Sequence, residues 1–243
     1  MASHTSSAFS GVELLLLNAR PSISADGTPW VSGHTSPSLT VYHCSVPGSS
    51  RLRFKAVGVV PRAPSAVCRF VGDTAKRLTW DSNIAALEVH PLPASETSAG
   101  QAFLLHSSTR AVGPISARDF VDAVAVVGPL APDGRYANGG VSVEDDAHFP
   151  QRAGFVRGWN SAGGGWLFEP LRAADGRSVH TRIHYVIQTD LRGWLPTLIV
   201  NNALTGSYIT FFKDLTEALT AGVPEGEGQE EAQKALGDGS DAS

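Results

Sequence analysis

Hydrophobic and polar residues alternate along several short stretches of the chain, with the period of two that is typical of β-strands. The clearest stretch is residues 179–189. Its positions on one face are Val179, Thr181, Ile183, Tyr185 and Ile187. Shorter stretches predict strands at residues 39–43, 51–60, 84–90, 102–108, 119–127, 141–144, 153–159 and 166–171. Pro47-Gly48-Ser49-Ser50 separates the first two of these and predicts a hairpin. The chain is therefore predicted to contain about nine strands, mostly in series.

Helical periodicity is strongest near the end of the chain. Apolar residues recur there at spacings of three and four, which places them on one stripe of a helix. They are Leu204, Tyr208, Phe211, Phe212, Leu215 and Leu219. Shorter helices are predicted at residues 13–20 and 64–71. A series of strands followed by one dominant helix predicts an α+β fold, in which a curved antiparallel sheet wraps around the terminal helix. Such a layout encloses either a packed core or an apolar cavity.

Composition divides the chain of 243 residues into three parts. Residues 1–29 form an N-terminal segment, with a loose end at 1–11 and the short helix after it. Residues 30–221 are predicted to form one domain. Residues 222–243 form an acidic, disordered tail with a net charge of −5, so the rest of the chain carries +1 of the total of −4. The apolar fraction of 42% excludes a wholly disordered chain, and the lack of a basic run argues against nucleic-acid binding.

The cysteine count and the N-terminus bear on the compartment. Two cysteines, Cys44 and Cys68, are too few for a disulfide framework and fit a reducing environment. The run at residues 14–17 is too short for the apolar core of a signal peptide, and Glu13 precedes it. No apolar stretch approaches the about 18 residues that span a bilayer. We expect a cytoplasmic protein.

A search for catalytic and metal-binding motifs finds none, and no cofactor or metal is expected. His180 and His184 share a strand face but lie too far apart for one metal ion. Arg77 and Asp81 are more informative, because a base and an acid flank Trp80 at a spacing of four. Such a pair can hold a zwitterionic headgroup, since the arginine fork presents paired donors to phosphate or carboxylate. The alternative is a surface ion pair worth less than about 1 kcal/mol.

Five motifs, taken in order, resemble one protein family. They are Arg77-x-x-Trp80-Asp81, residues 117–121 (ARDFV), residues 154–158 (GFVRG), Asp190-x-x-Gly193-Trp194-x-Pro196, and residues 211–215 (FFKDL). Together they resemble the START (steroidogenic acute regulatory protein-related lipid-transfer) family, and look most similar to its phosphatidylcholine-transfer and ceramide-transfer members. The resemblance covers roughly residues 30–221.

The resemblance implies the helix-grip fold, in which a bent sheet grips the C-terminal helix around a tunnel for one lipid. It implies non-enzymatic carriage of a phospholipid or sphingolipid between membranes, by a monomer in transient contact with the membrane surface. It places the lipid headgroup at Arg77, Asp81, Trp80 and Phe120. The expected cavity-lining residues are Phe103, Leu105, Val124, Trp159, Tyr185 and Ile187.

A carrier must open its cavity at a membrane, and two segments are predicted to take part. The terminal helix is the expected gate, formed by Leu195, Pro196, Leu204, Tyr208, Phe211, Phe212 and Leu215. The apolar loop at residues 112–115 and an interfacial indole ring are expected to contact the bilayer. The residues concerned are Val112, Pro114, Ile115 and Trp194.

For a phosphatidylcholine ligand the choline cage is incomplete, because Ser107 and Ser161 stand where aromatic rings are expected. Three other functions stay open. Sterol carriage is an alternative, although the two positions of the family's buried acid–base pair carry the apolar Leu105 and Val124. A lipid-sensing or scaffold module would use the acidic tail to bind partners. An enzyme of a related cavity fold would use His106 or His184 as its base.

Overall fold

The computed structural model of the protein describes residues 2–93, 100–172 and 179–221. The helices are α1 (Ala2–Asn18), α2 (Pro64–Gly72), α3 (Thr74–Trp80) and α4 (Thr197–Thr220). The strands are β1 (Val31–Ser36), β2 (Leu39–Ser45), β3 (Leu52–Val60), β4 (Ile84–Pro91), β5 (Gln101–Thr109), β6 (Arg118–Leu130), β7 (Arg135–Ser142), β8 (Val156–Arg157), β9 (Trp159–Asn160), β10 (Gly164–Arg172), β11 (Val179–Ile187) and β12 (Thr189–Asp190). The predicted α+β class is confirmed.

One large antiparallel sheet forms the body of the molecule. Its strands follow the order β1-β2-β3-β11-β10-β7-β6-β5-β4, and the short β8 pairs in parallel with the start of β6. The predicted hairpin joins β2 and β3, and Gly48 takes a φ of +73° at its turn, which glycine adopts without strain. Helices α2 and α3 connect β3 to β4, the strand at the far edge of the sheet.

The side chains of β6 point alternately to the two faces of the sheet, and each face packs against its own apolar layer. Alternate side chains of this strand, from Val121 to Val127, belong to a cluster that includes α1 on the outer face of the sheet. The side chains between them point the other way, towards α3 and α4. On that inner face Tyr208, Phe211 and Leu215 of α4 pack against residues of β3, β10 and β11, namely Phe54, Phe168 and Ile183. The terminal helix is therefore gripped by the sheet.

The predicted loose end at residues 1–11 is wrong, because α1 starts at Ala2. Ala8, Val12 and Leu15 recur at spacings of four and three and are buried against the sheet. A Cβ atom at Gly11 would lie 3.1 Å from the backbone of Gly140, so the helix approaches the sheet where neither residue has a side chain. The small and polar composition that indicated a loose end is what allows this close contact.

Other elements also differ from the prediction. The strand β1 and the seven-residue helix α3 were not predicted, since both are short and neither has a regular apolar pattern. The strand predicted at residues 141–144 is the end of β7, which starts at Arg135. The strand predicted at 153–159 is reduced to the two-residue strands β8 and β9. The acidic tail predicted at residues 222–243 lies outside the described residues.

Candidate functional site

A cavity of about 240 Å³ lies between the inner face of the sheet, α3 and α4. Most of its surface is apolar, although many polar and several charged residues also line it. The predicted lining residues Phe103, Leu105, Val124, Tyr185 and Ile187 line it, as do Phe120 of the predicted headgroup set and Leu204, Tyr208 and Phe211 of α4. Of the two layouts that the sequence left open, the structure has the one with an internal apolar cavity.

A buried ion pair forms one part of the cavity wall. Arg77 lies in α3, and Asp81 caps the C-terminal end of that helix. The Nε and Nη2 atoms of Arg77 each lie 2.9 Å from Oδ2 of Asp81. Only 8% of the arginine side chain and 1% of the aspartate side chain are exposed, so the alternative of a surface ion pair is wrong. Both residues line the cavity.

Aromatic rings surround the arginine of this pair. Its guanidinium carbon lies 4.8 Å from the ring centre of Trp166 and 5.8 Å from that of Phe211. Trp166 stacks on Tyr185 at 4.8 Å between ring centres. Burial raises the pKa of Tyr185 to about 12, although a hydrogen bond from Arg77 and its positive charge act to lower it. This tyrosine therefore stays a neutral hydroxyl at the cavity wall.

Among the described residues that line the cavity, two buried side-chain polar atoms have no hydrogen-bond partner. They are the indole nitrogen of Trp166 and the amide oxygen of Asn138, which belong to residues paired across β10 and β7. Both residues line the cavity. A buried polar atom without a partner is costly, commonly by about 1–3 kcal/mol. The donor and the acceptor are thus available to a ligand that carries polar groups.

A second buried carboxyl group, which the sequence did not predict as a site residue, belongs to Asp122 on β6. Its oxygens accept hydrogen bonds from Oγ of Ser142 at 2.6 Å and from Nδ2 of Asn160 at 2.9 Å. Burial raises the pKa of Asp122 to about 6, and the two hydrogen bonds and the charge of Arg157 oppose that rise. The signal in the sequence was an acid between Phe120 and Val124, at an inward position of an apolar strand.

The raised pKa of Asp122 makes stability depend on pH. Its pKa is about 6 in the folded protein and near the ordinary 3.8 in the unfolded chain, so protonation favours the folded state. That contribution is complete below about pH 4 and is lost as the pH rises through about 6. We expect the free energy of unfolding of the parent, minus that of Asp122→Asn, to fall by about 2.5 kcal/mol between about pH 4 and pH 7. Urea unfolding of both proteins at each pH measures this difference in free energy.

The difference between parent and variant isolates Asp122, because the other carboxyl groups are common to both proteins. Those with a lowered pKa, such as Asp119 beside Arg157 and Glu169 beside His184, act in the opposite direction and cancel. If the free energies of unfolding of parent and variant changed in parallel across this pH range, a raised pKa at Asp122 would be contradicted.

Several predicted site residues lie outside the cavity lining. Trp80 stacks on Phe70 at 5.5 Å between ring centres and supports Phe211 from behind, at 5.7 Å. The prediction that Trp159 lines the cavity is wrong. It lies in β9 and lines a groove elsewhere, and the guanidinium of Arg192 sits 5.5 Å from its ring centre. Indole rings were assigned by sequence position, which does not fix the face of so short a strand.

The predicted gate residues of α4 divide into two groups. Leu204, Tyr208 and Phe211 face the cavity, whereas Phe212 and Leu215 are buried in the core between α4 and the sheet. Leu195 and Pro196 precede the helix and do not line the cavity; Leu195 is half-buried and Pro196 is exposed. The helical stripe is wide enough that its cavity side and its core side have different neighbours.

The residues predicted to contact a membrane fall into a buried group and an exposed group. Val112 and Ile115 close a tight turn through two backbone hydrogen bonds, and both line the cavity. Ile115 is buried, so the prediction that it is a surface contact is wrong, while Val112 and Pro114 are exposed. Trp194 is 94% exposed. It is joined by Leu198, of which 71% is exposed, at the start of α4.

Arg118 ties this exposed segment to the sheet. Its guanidinium donates to the backbone oxygens of Leu191 at 2.7 Å and Arg192 at 3.3 Å, and to the backbone oxygen of Ser116. The same residue lines the cavity, beside the turn at Val112 and Ile115. The side chain of Arg118 therefore links the loop at residues 112–115 to the segment before α4.

The histidines proposed as bases for an enzyme do not line the cavity. His106 lies 3.2 Å from a carboxylate oxygen of Asp119, and His184 lies 2.8 Å from one of Glu169. Among the residues that the structure describes, no three His, Cys, Asp or Glu side chains are placed to hold a metal ion. Within that part of the chain, no helix is long and apolar enough to cross a membrane.

Comparison with known proteins gives a consistent result. The family model described as START domain matches residues 23–223 of the chain. Human StAR-related lipid transfer protein 6 is 24% identical over 203 residues, which cover 81% of this chain and 84% of that protein. Human StAR-related lipid transfer protein 4 is 31% identical over 176 residues, which cover 68% of this chain and 75% of that protein.

Solved structures show the same fold. The structure of human StAR-related lipid transfer protein 5 superposes with a TM-score of 0.76 and a sequence identity of 24%, and covers 90% of this chain and 98% of that one. Human STARD10 gives a TM-score of 0.58 at 21% identity, with coverage of 77% of this chain and 73% of that one. The helix-grip arrangement that the sequence predicted is thus confirmed.

Proposed function

Because the chain belongs to the START domain family, we propose that it is a non-enzymatic carrier, which binds one lipid in its internal cavity and transfers it between membranes. The observation that carries this proposal is a mainly apolar cavity with one buried ion pair, Arg77–Asp81, in its wall. Apolar walls take up acyl chains or rings, since each buried CH₂ group contributes about 0.8 kcal/mol. The ion pair gives the lipid a fixed orientation.

We place the polar headgroup of the lipid at Arg77 and Asp81. A pair with no net charge suits a zwitterionic or neutral headgroup that offers both donors and acceptors. The free indole nitrogen of Trp166 and the free amide oxygen of Asn138 lie in the same part of the wall and add one donor and one acceptor. These features support a phospholipid or sphingolipid as the cargo.

A sterol is the second candidate, and the size of the cavity favours it. The volume of about 240 Å³ lies below the about 300–1,000 Å³ of most ligand pockets, so two acyl chains require the cavity to widen. Leu105 and Val124, where a sterol-type acid–base pair would stand, are apolar and line the cavity. Titration with a phosphatidylcholine, a ceramide and a sterol, each labelled with the same fluorophore, ranks the classes. The absence of saturable binding by all three would overturn carriage.

Loading requires part of the wall to open at the membrane. We propose that the N-terminal half of α4 moves away from the loop at residues 112–115, since Leu204 and Tyr208 on one side and Val112 on the other line the same cavity. Exposed Trp194 and Leu198 lie just before and within the start of α4, where they can enter the bilayer interface. The monomeric state, the transient membrane contact and the cytoplasmic location predicted from the sequence remain part of this proposal.

A crosslink between the two sides tests the gate. We expect a flexible bifunctional thiol reagent that joins Pro114→Cys to Leu198→Cys to reduce transfer between vesicles to the spontaneous rate. Lipid loaded before crosslinking should stay bound. The native Cys44 and Cys68 are buried, and burial raises the pKa of Cys68 to about 11, so the reagent should spare both. Each single-cysteine variant, treated with the same reagent, is the control. Unchanged transfer by the crosslinked protein would remove this gate.

A further inference from the structure

Asp122 is a buried carboxyl group that faces the cavity and takes no part in the headgroup site at Arg77. It shares the inward face of β6 with Phe120 and Val124, and all three residues line the cavity. Asn160 and Thr189, which extend its hydrogen-bond network, line the cavity as well. The network joins β6, β7, β9 and β12, so the carboxyl group is held in one position.

The carboxylate has capacity for a further donor. A carboxylate offers about four acceptor positions, and Ser142 and Asn160 use two of them. Within the described residues, no Lys, Arg or His nitrogen lies within ion-pair distance of Asp122. Arg157, whose positive charge acts to lower the pKa of Asp122, is itself engaged by Asp119 and Asp146. Burial raises the pKa of Asp122 to about 6, as is expected for a buried acid without a cationic partner.

The strand register separates this carboxyl group from the ion pair. Arg77 lies over Trp166, which pairs with Asn138 of β7, whereas Asp122 pairs with Ser142 of the same strand. Four residues along a strand span about 13 Å. The row between the two sites holds Val124 and Gly140, which are paired and both line the cavity. The two polar sites therefore belong to the wall of one cavity.

We infer that the cavity holds its lipid at two polar sites, and that Asp122, supported by Ser142 and Asn160, is the second. This inference rests on the proposed carriage of a lipid. The carboxylate accepts a hydrogen bond from a hydroxyl or ammonium group that lies about 13 Å from the group bound at Arg77. Among phospholipids and sphingolipids, the favoured cargo is thus one that carries a second polar group, such as a hydroxyl, about 13 Å from its headgroup, rather than one with plain hydrocarbon chains.

A pair of simple probes tests the second site. They are a saturated α,ω-diol long enough to span the two sites and the monoalcohol of the same chain length, measured by competition against a fluorescent lipid. With two polar sites, the diol should bind the parent at least about tenfold more tightly than the monoalcohol, since a hydrogen bond to a charged group is worth that much. With one site, the second hydroxyl is buried without a partner and the diol should bind more weakly.

Two variants test whether the preference for the diol depends on Asp122. Asp122→Asn removes the charge at nearly constant shape and should bring the ratio of the two dissociation constants close to one. Asp145→Asn changes a carboxylate outside the cavity lining and should leave the ratio unchanged. The ratio is measured within each protein, so a loss of stability does not distort it. The parent ratio stands as a test of its own if Asp122→Asn does not fold.

The possible results separate the second site from carriage itself. A parent that binds the monoalcohol as tightly as the diol, or more tightly, overturns the second site and leaves carriage intact. A diol preference that persists in Asp122→Asn overturns the assignment to Asp122. A protein that binds neither probe and none of the labelled lipids overturns both the second site and the proposed function.

Discussion

Arg77→Met is expected to destabilise the folded protein by about 3–5 kcal/mol, because it leaves the carboxylate of Asp81 buried without its partner. The double variant Arg77→Met/Asp81→Asn should recover most of this loss. The asparagine is neutral, and its oxygen can still accept the hydrogen bond that Asp81 receives from the backbone of Asn83. Urea unfolding measures the parent and both variants. Lys213→Met, which breaks an exposed pair with Glu217, is the matched control and should have a much smaller effect.

The same variants test the headgroup site. A lost hydrogen bond to a charged group should weaken binding of a zwitterionic phospholipid by about tenfold or more. A plain fatty alcohol should bind nearly as it does to the parent. The double variant is the more informative protein here, since its stability is close to that of the parent. If it bound both ligands as the parent does, Arg77 and Asp81 would be a structural pair only.

Phe211→Ala is expected to be comparably damaging, at about 3–5 kcal/mol of unfolding free energy. Its ring is 2% exposed and touches Trp80, Trp166 and Tyr185, at 4.9–6.2 Å between ring centres. It belongs both to the core between α4 and the sheet and to the cavity wall, so truncation removes apolar contacts and leaves a void. Unfolding of the lipid-free protein measures the loss.

A neighbour on the same helix provides the control for Phe211. Ile209 is 39% exposed, so Ile209→Ala should cost much less. Both substitutions change helix propensity only slightly, which leaves burial as the main difference between them. Equal losses from the two variants would contradict the inward orientation of the α4 stripe.

Sequence reasoning succeeded where a long regular pattern decides the structure. The alternation over residues 179–189 predicted β11, and the apolar stripe of residues 204–219 predicted α4, because burial on one face requires that period. The motif around Arg77 singled out a pair that the structure buries in the cavity wall, although its helix, α3, was missed. Seven residues hold less than two periods of a helix, so no pattern could show it.

The rest of the site depended on contacts that spacing does not contain. Asp122 sits in an apolar strand, and its role appears only when Ser142 and Asn160 are brought beside it from β7 and β9. Trp159 was placed in the cavity by its position in the sequence, but β9 pairs with β12 and carries it to another surface. The sequence predicted the end of α1, from Glu13, but missed its first part, because the contact of that part with the sheet relies on small residues such as Ala8 and Gly11.

Native mass spectrometry of the purified chain of 243 residues shows whether the internal cavity binds one lipid. We expect the intact protein to carry, or to take up from vesicles, a single added mass of one lipid per chain. Extraction with organic solvent should release that lipid in equal amount to the protein. A chain that stays empty in the presence of excess phospholipid, sphingolipid and sterol would contradict lipid binding in this cavity.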